Sequence, residues 1–418
     1  MSSRILVFHP GTQHSQQTAL AFQGAGLLAW YATEIFYQPD RWPYNALRFL
    51  PKQVSRRVEK ELRRRQNPQI SPNVLRTFGC LEWIERISIR FGLRRVEHYA
   101  NEWGNVQFGR RVAALAVRDH VDCVWGFDTA SLGTFEKAKD HGIRCVLEQT
   151  ISHPRIWNRM LTEERERVGF TFDPYPRPYP EKDLQRVDAE IRLSDQVVCG
   201  SVFAKQTMIA EGVRPDKVNV VPYGVDAERF VPAVPIEKRG ALRLLFVGHF
   251  GLRKGAWYLL QALDQLKNVP GLTLTVVGKN TVPAKFLTSV SGRVKFIPHV
   301  PHDEVHTIYQ HGDVLVLPTL YEGSALVVNE AMASGLPVIT TPNAGSAVQD
   351  GVEGFIIPIR DADALISRIE ALYEDPKLRA EMGHCARRKA LEQTWAEYRK
   401  GVLALWRKME AAPMAKAG

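Results

Sequence analysis

The sequence predicts an α/β protein that contains two doubly wound parallel sheets in tandem. In each half of the chain, short apolar runs typical of buried strands alternate with segments of helical length and periodicity. This alternation favours parallel strands, because a parallel connection needs a long crossover that is usually a helix. Between the two series, the Pro-containing stretch 230–235 breaks the pattern and indicates a linker.

The first series predicts a Rossmann-like domain over residues 1–228. Its predicted strands are residues 5–8, 33–37, 123–127, 144–148, 196–199 and 218–221. A turn that contains Gly11 and a helix from Ser15 follow the first strand, as in the opening unit of nucleotide-binding sheets.

The second series predicts another Rossmann-like domain over residues 229–394. Its predicted strands are residues 242–247, 273–277, 294–297, 314–317, 338–340 and 355–357. Residues 395–418 follow the last strand, and within them 395–408 carry an amphipathic pattern that includes Val402, Leu405 and Trp406. We expect a helix there that crosses back to the first domain.

Composition favours a folded globular chain of a reducing compartment. Hydrophobic residues make up 45% of the 418 residues and charged residues 24%, which argues against a disordered or fibrous chain. His9, Pro10 and Gly11 interrupt the first apolar run before a signal peptide could form, and the apolar stretch 19–31 is too short and polar to span a bilayer. We therefore expect a cytoplasmic protein. The five cysteines, which lack any CxxC pair, are expected to be ordinary buried thiols: Cys80, Cys123, Cys145, Cys199 and Cys385.

The positive charge of the chain is concentrated in one segment. The net charge is +10, and residues 41–118 alone contain 17 Lys and Arg against 6 Glu. Within this predicted helical insertion, Val54, Val58 and Leu62 recur at helical spacing beneath a nearly continuous cationic face. The pattern suggests docking on an anionic inner membrane face or on a lipid-pyrophosphate acceptor. A solvated insertion that only aids solubility is the competing interpretation, and nucleic-acid binding is a third.

Two carboxylates bracket a predicted helix start after the strand at 314–317. Glu322 falls in the strand-to-helix turn, and Glu330 lies about two turns into a helix counted from Ser324. Free amides at a helix start favour an anion, whereas flanking carboxylates suit hydroxyl groups. A nucleotide sugar presents hydroxyls, phosphates and hydroxyls in that order. The competing interpretation is that Glu322 only interacts favourably with the helix dipole and that Glu330 is a solvated helix residue.

Two adjacent cations form the second motif. Arg253 and Lys254 follow the turn that begins at Gly248 and precede a predicted helix. Cations at a helix start oppose its dipole, so their placement favours a bound anion such as a diphosphate. A solvated basic turn is the competing interpretation.

No metal site is predicted. His302 and His306 share a helical spacing, but the residue after His302 is Asp303 rather than the Glu of zinc proteases, and no third ligand is indicated. No DxD-type acidic pair stands beside the two motifs. We expect no metal and no cofactor beyond the nucleotide-sugar co-substrate.

These motifs, together with the run 221–226 (Val-Pro-Tyr-Gly-Val-Asp), resemble family 4 retaining glycosyltransferases of the GT-B fold. The resemblance covers nearly all of residues 190–360. It implies two Rossmann-like domains that face a cleft, with the donor held by the second and the acceptor by the first. It also implies transfer of a hexose from a UDP- or GDP-sugar, with retention, to a saccharide or lipid-linked acceptor in cell-surface polysaccharide or glycolipid synthesis.

The resemblance also assigns roles to residues. Glu322 would contact the sugar, Glu330 the ribose, and Arg253 and Lys254 the diphosphate. His153, the His nearest to the end of a first-domain strand, is the candidate for the reacting centre, although a His that hydrogen-bonds a loop is an alternative. The donor-binding positions that lie close to the sugar and phosphates would be Gly11, Gly248, Gly323, Ser324, Ala325 and Leu326. His249 stands where many members have Arg, which leaves the charge neutralisation to Arg253 and Lys254.

Two other classes compete with a transferase. One is a GT-B epimerase, hydrolase or non-catalytic nucleotide-sugar binder; turnover only in the presence of an acceptor would distinguish a transferase from it. The other is a nucleic-acid binder that uses the basic segment, which a steep salt dependence would support.

Overall fold

The computed structural model describes residues 3–11, 14–79, 94–169, 177–233, 241–298, 300–301 and 304–411, with backbone alone at 64 and 94–102. The first sheet of this described part has seven parallel strands in the order β3-β2-β1-β4-β5-β6-β7. Its strands are β1 (Ile5–Phe8), β2 (Leu28–Thr33), β3 (Leu75–Thr77), β4 (Cys123–Phe127), β5 (Arg144–Gln149), β6 (Gln196–Cys199) and β7 (Val218–Val220). All four residues of β1 are buried, as expected of a central strand covered on both faces.

The second sheet has six parallel strands in the order β10-β9-β8-β11-β12-β13. They are β8 (Leu242–Val247), β9 (Leu272–Val277), β10 (Val294–Ile297), β11 (Val314–Leu317), β12 (Val338–Thr340) and β13 (Gly354–Ile356). Every residue of β11 is buried in the core. The prediction of an α/β fold with two parallel sheets is confirmed.

Helices connect most of the consecutive strands of both sheets. In chain order they are Ser15–Gly24, Lys52–Leu62, Arg94–Arg118, Leu132–Asp140, Pro154–Val168, Glu181–Leu193, Val202–Ala210, Ala256–Gln265, Val305–Tyr309, Leu326–Ala333, Ala362–Glu374, Pro376–Leu391 and Trp395–Ala411. The predicted helices are thus observed between most strands, but not between β9 and β10 or between β12 and β13, where the described connections contain only 3₁₀ turns. None of the described helices is long and apolar enough to cross a membrane.

The chain divides into two compact units. The first contains residues 1–149, 181–198 and 399–418, and the second contains residues 150–180 and 199–398. This division assigns residues 150–180 and 199–228 to the second unit, whereas the predicted boundary is at 228. That predicted boundary remains a prediction.

Ion pairs explain why the segment after residue 150 packs with the second unit. Arg360 donates to the carboxylates of Glu163, at 2.8 Å, and Glu164, both on the helix Pro154–Val168. The hydroxyl of Tyr258 donates to Glu164 at 2.8 Å. Because Glu164 is fully buried, these donors compensate for the loss of its hydration. The helix is thereby fixed to the second unit.

The C-terminal helix Trp395–Ala411 begins in the second unit and continues in the first. In the first unit, Trp406 packs edge-on against Phe22 with ring centroids 6.2 Å apart. Arg144 donates to the carbonyl of Met409 at 2.7 Å. The predicted packing of this helix on the first domain is thus observed.

The predicted strand at 33–37 is wrong. The chain turns at Gly26, whose φ is +70°, and the strand runs over Leu28–Thr33. The apolar stretch 19–31 concealed this turn, because helix, turn and strand share one continuous hydrophobic run. The short edge strand Leu75–Thr77 was not predicted, and the predicted strand at 355–357 begins one residue earlier, at Gly354.

Two further predictions need correction. Val58 and Leu62 do not lie on an exposed membrane-facing stripe: Leu62 is buried with Ile35 and Tyr37, and Val58 packs against this group. Cys385 is partly exposed, whereas Cys123, Cys145 and Cys199 are buried as expected. Burial raises the pKa of Cys145 to about 12, so this thiol stays protonated. Cys80 and the end of the predicted linker 230–235 lie outside the described residues.

Candidate functional site

The candidate site of the second unit lies where its strand order reverses. β8 is followed along the chain by β9 on one side, whereas β11 pairs with β8 on the other side. Connections that leave neighbouring strands in opposite directions open a crevice at their carboxyl ends, which is where doubly wound sheets bind ligands. Residues 248–255 follow β8 and residues 318–325 follow β11. Both sequence motifs therefore meet at this crevice.

Three predicted site residues come together there, and we call Arg253, Lys254 and Glu322 the charged triad. The Nζ atom of Lys254 lies 2.7 Å from Oε1 of Glu322, and Nη1 of Arg253 lies 3.0 Å from the same oxygen. The side chains of Lys254 and Glu322 are 11% and 12% exposed, whereas that of Arg253 is 31% exposed. Two cations against one carboxylate leave the triad with a net positive charge in a poorly hydrated position.

The pKa of Glu322 reflects this balance. Burial by itself raises the pKa of the carboxyl, but the charges of Lys254 and Arg253 outweigh burial, and the pKa is lowered. Glu322 is therefore ionised at neutral pH. An ionised carboxylate accepts hydrogen bonds only, so it can hold a hydroxyl group but not a phosphate oxygen.

Backbone contacts fix the cations of the triad. Arg253 and Lys254 lie on the 3₁₀ turn Leu252–Lys254, and the helix Ala256–Gln265 starts after Gly255. The guanidinium of Arg253 donates to the carbonyl of Tyr321 at 2.9 Å, and the Leu320 amide donates to the carbonyl of Arg253 at 2.9 Å. The turns after β8 and β11 are thus tied to each other through Arg253 itself.

The loop that carries Glu322 rests on the segment after residue 150. The hydroxyl of Ser152 donates to the carbonyl of Glu322, and that of Tyr321 donates to the carbonyl of Ser152. At Gly323, an added Cβ would overlap the carbonyl of Thr150. The position therefore requires glycine because two backbone segments approach closely.

The amides after Glu322 are only partly available to a ligand. We expected all of 323–326 to face sugar and phosphate, but the Ala325 amide donates to the carbonyl of Ala344 at 3.0 Å. This bond holds 323–325 outside the helix, which begins at Leu326 rather than at Ser324. Among the described residues no acceptor is found for the amides of Gly323, Ser324 and Leu326.

Glu330 lies four residues after the first helical residue, just over one turn into the helix Leu326–Ala333. The hydroxyl of the buried Tyr309 donates to its Oε2 at 2.6 Å. Burial raises the pKa of Glu330 to about 7, and the hydrogen bond from Tyr309 and the charges of Arg229 and Lys254 oppose this rise. Lys254 therefore acts on both predicted glutamates.

The turn after β8 lies near a further cation that the sequence motif did not reveal. Gly248 has a φ of +127°, and an added Cβ would lie 3.1 Å from Cε of Lys254, so glycine leaves room for that side chain. His249 contacts the Thr281 hydroxyl at 3.0 Å. Burial lowers the pKa of His249, and Lys279, Arg253 and Lys254 lower it further. Lys279, which follows the end of β9, is thus a further cation near this turn. Its position directly after Gly278, at the carboxyl end of a strand, could have indicated it in the sequence.

The structure places His153 at a helix start. It is buried, its amide donates to the Thr207 hydroxyl at 3.0 Å, and its Nδ1 accepts from the Arg155 amide at 3.3 Å. It thereby caps the helix Pro154–Val168. Its neighbour Ser152 contacts the loop of Glu322, so His153 belongs to the same unit as the triad.

Gly11 lies in the first unit, at the corresponding edge of the other sheet. β1 pairs with both β2 and β4, so the strand order reverses there too. The Gly11 amide donates to Nδ1 of His9 at 2.9 Å, and burial lowers the pKa of His9 to about 4. His9 is therefore neutral at pH 7.

A buried polar cluster at this edge escaped the sequence analysis. The carboxylate of Glu148, fully buried, accepts from His14, from Thr18 at 3.2 Å and from the indole of Trp125 at 2.9 Å. Gln149 is also fully buried, and its side-chain oxygen has no partner among the described residues. The signal in the sequence was the polar pair Glu148-Gln149 at the carboxyl end of a buried strand.

Among the described residues no group of three or more His, Cys, Asp and Glu is arranged to hold a metal. His302 and Asp303 lie outside those residues, so the predicted lack of a metal at 302–306 stays a prediction. The geometry that is described offers cations and amides for an anion, and carboxylates for hydroxyl groups, at one sheet edge.

Comparisons with known proteins agree with this geometry. Residues 241–375 match the family described as Glycosyl transferases group 1. A glycogen synthase of Mycobacterium tuberculosis is 28% identical over 208 residues, which cover 48% of this chain and 50% of that protein. A D-inositol 3-phosphate glycosyltransferase of Pseudarthrobacter chlorophenolicus is 29% identical over 242 residues, 53% of this chain and 57% of that protein. The chain thus spans about half the length of the curated relatives it matches.

Solved structures extend the likeness to the whole fold. Sucrose-phosphate synthase from Thermosynechococcus elongatus superposes with a TM-score of 0.64 at 18% identity, covering 98% of this chain and 100% of that chain. HepE from Anabaena, crystallised with UDP and glucose, has a TM-score of 0.61 at 14% identity and covers 97% of this chain and 100% of its own. The fold is that of GT-B glycosyltransferases.

Proposed function

We propose that this protein is a glycosyltransferase that uses a nucleotide-diphosphate sugar, a proposal that the match of residues 241–375 to the glycosyl transferases group 1 family supports. The single observation that carries the proposal is the charged triad at the switch point of the second sheet. It puts two cations within 3.0 Å of one oxygen of a hydroxyl-accepting carboxylate. A sugar diphosphate presents both phosphate oxygens, which cations bind, and hydroxyls, which a carboxylate accepts.

The proposal assigns one part of the donor to each group. Arg253 and Lys254 bind the diphosphate, with the amides of Gly323, Ser324 and Leu326 as further donors. Glu322 accepts hydrogen bonds from the hexose. Glu330 binds the ribose hydroxyls. Its Oε2 accepts a hydrogen bond from Tyr309, and the charge of Lys254 opposes the rise in the pKa of its carboxyl.

Catalysis then rests on stabilising the leaving group. Breaking the anomeric C–O bond gives an oxocarbenium-like sugar and puts negative charge on the departing diphosphate. Fixed cations in a poorly hydrated site stabilise that charge without reorganising. We propose that the acceptor attacks from the face that the diphosphate leaves, with a phosphate oxygen taking the acceptor proton, so that configuration is retained. The Arg and Lys supply the charge that a divalent metal provides in other transferases.

The acceptor is proposed to bind in the first unit, which carries its own polar sheet edge. His9 and Glu148 line that edge, and Gln149 offers a buried carbonyl oxygen that no described residue satisfies. Groups of this kind suit the hydroxyls of a saccharide or the head of a lipid-linked saccharide. The proposed setting is cell-surface polysaccharide or glycolipid synthesis in the cytoplasm.

Release of nucleoside diphosphate from a panel of UDP- and GDP-sugars, with and without mixed saccharide and lipid-linked acceptors, tests the function. A transferase releases UDP or GDP at least tenfold faster when an acceptor is present. Equal release without an acceptor would indicate a hydrolase, and interconversion of sugars without release would indicate an epimerase.

A further inference from the structure

A stretch of the first unit exposes unusually large apolar side chains. Trp42 is 79% exposed, Phe49 77%, Val54 47% and Leu50 42%. These four, which fall within thirteen residues, are among only ten large hydrophobic side chains exposed in the described part of the chain. Single exposed hydrophobics need no explanation, but a local group of four, two of them aromatic, does.

The fold of this stretch does not require those side chains. It is held by Tyr44, Leu47 and Val58, which pack against a buried group formed by Ile35, Tyr37 and Leu62. The amide of Tyr37 also donates to the carbonyl of Arg65 at 3.1 Å. The helix Lys52–Leu62 therefore has its own inward anchor, and the exposed group is left for another purpose.

Exposed cations alternate along the chain with the exposed apolar group. Residues 41–63 contain seven cations and two carboxylates. All seven cationic residues are exposed: Arg41, Arg48, Lys52, Arg56, Arg57, Lys60 and Arg63. We call these seven, with Trp42, Phe49, Leu50 and Val54, the aromatic–cationic patch.

We propose that the aromatic–cationic patch docks the protein on an anionic lipid bilayer. Trp and Phe partition into the headgroup region, and cations on the same stretch are attracted to acidic lipids. Either contribution alone gives weak, reversible binding, whereas the combination gives stable peripheral attachment. The aliphatic Leu50 and Val54 favour a bilayer over a nucleic acid, since aliphatic side chains do not stack on bases.

The residues proposed here to contact the membrane differ from those of the sequence-based hypothesis. Val58, Leu62 and Arg65 are turned inward, and Arg65 is 7% exposed. Trp42 and Phe49, which lie before the helix that the pattern singled out, carry the apolar contact instead. The docking does not depend on the proposed transferase activity.

Co-sedimentation with vesicles of phosphatidylcholine containing no or 30% phosphatidylglycerol tests the patch at physiological salt, without donor or acceptor. We expect binding only to the anionic vesicles. Trp42→Ser with Phe49→Ser should lower the bound fraction at least fivefold, and Arg56→Gln with Arg57→Gln should do so as well. The charge variant should bind as weakly at 0.15 M salt as the unaltered protein binds at a salt concentration several times higher.

Matched controls come from the second unit. Val202→Ser with Leu391→Ser removes two exposed apolar side chains, and Lys267→Gln with Lys377→Gln removes two exposed charges. Neither should change vesicle binding, and circular dichroism should show that all four variants are folded. The proposal is overturned if the protein does not bind anionic vesicles, or if patch and control variants bind them equally well. It is also overturned if the patch variants lose only self-association or RNA binding.

Discussion

The Nζ atom of Lys254 lies 2.7 Å from Oε1 of Glu322, so a predicted phosphate ligand and a predicted sugar ligand form one buried ion pair. Arg253 contacts the same oxygen at 3.0 Å. The pair keeps Glu322 ionised against the effect of burial, and Glu322 offsets one of the two positive charges. The carboxylate therefore holds two cations close together, in addition to its proposed role as a ligand for hydroxyls.

Truncation of the cations should remove leaving-group stabilisation. Arg253→Ala and Lys254→Ala are each expected to lower kcat/KM for the donor by on the order of a hundredfold, because in the proposed mechanism each group faces the charge that develops in the transition state. Glu322→Ala should cause a similar loss, since it removes the sugar contact and separates the cations. Steady-state kinetics on the purified variants measures this.

Arg243 offers a matched control for the triad. It forms an ion pair with Asp313 at 2.7 Å in the same unit, but at the amino ends of β8 and β11. Arg243→Gln should therefore leave kcat/KM within about threefold of the unaltered protein. Near-normal turnover in two of the three triad variants would contradict the assigned roles.

Gly323 should tolerate no side chain. An added Cβ overlaps the carbonyl of Thr150, so Gly323→Ala forces the loop of Glu322 away from the segment after residue 150. We expect at least a tenfold loss of turnover together with a destabilisation of about 1–3 kcal/mol. Gly292→Ala, where nothing lies within 4 Å, is the control in thermal melts and kinetics. Equal behaviour of the two variants would refute the close approach.

Glu330 should make stability depend on pH. Its pKa is raised from 4.5 to about 7, so between these values the folded protein retains a proton that the unfolded chain has lost. The stabilisation is complete below pH 4.5 and is lost as pH rises through 7. The Glu330→Gln variant cannot ionise, and its stability relative to the unaltered protein should rise by about 1–3 kcal/mol from pH 4.5 to 8.

Urea unfolding of both proteins across this pH range measures the difference. Glu190, whose pKa burial also raises to about 7, is present in both proteins, so its contribution cancels. A difference that stays constant from pH 4.5 to 8 would show that Glu330 ionises as an exposed carboxyl does.

Metal removal should not affect turnover. If Arg253 and Lys254 supply the charge, activity in excess EDTA should stay within twofold of the untreated value. A fall to background that Mn²⁺ or Mg²⁺ reverses would refute the leaving-group account. Arg243→Gln is the control variant in this experiment as well, because its activity should respond to EDTA as that of the unaltered protein does.

The second unit was largely predictable from the sequence because its strands are short, mostly apolar runs, of which β11 and β12 are buried at every residue. β8, β10, β11 and β12 have the predicted bounds. The triad was predictable too, since parallel strands place the residues that follow them at one edge. What the sequence did not disclose was the ion pairing within the triad, which depends on the register of two loops that are far apart along the chain.

The first unit was harder to predict. The helix, the turn at Gly26 and the strand Leu28–Thr33 form one apolar run, so periodicity misplaced the strand. The cluster around Glu148 was missed because His14 and Trp125, its partners, are far from it along the chain. The exposure of Trp42 and Phe49 was also hidden, because composition does not reveal which apolar residues a short segment buries.

Calorimetric titration of UDP and GDP into the unaltered protein and into Lys254→Ala tests the central claim most directly, because it needs neither the sugar nor the acceptor to be known. The account predicts that one of the two nucleotides binds at one site per chain and that Lys254→Ala weakens its affinity at least tenfold, whereas Arg243→Gln leaves it unchanged. Failure of both nucleotides to bind, or equal affinity in the protein with and without Lys254, would contradict it.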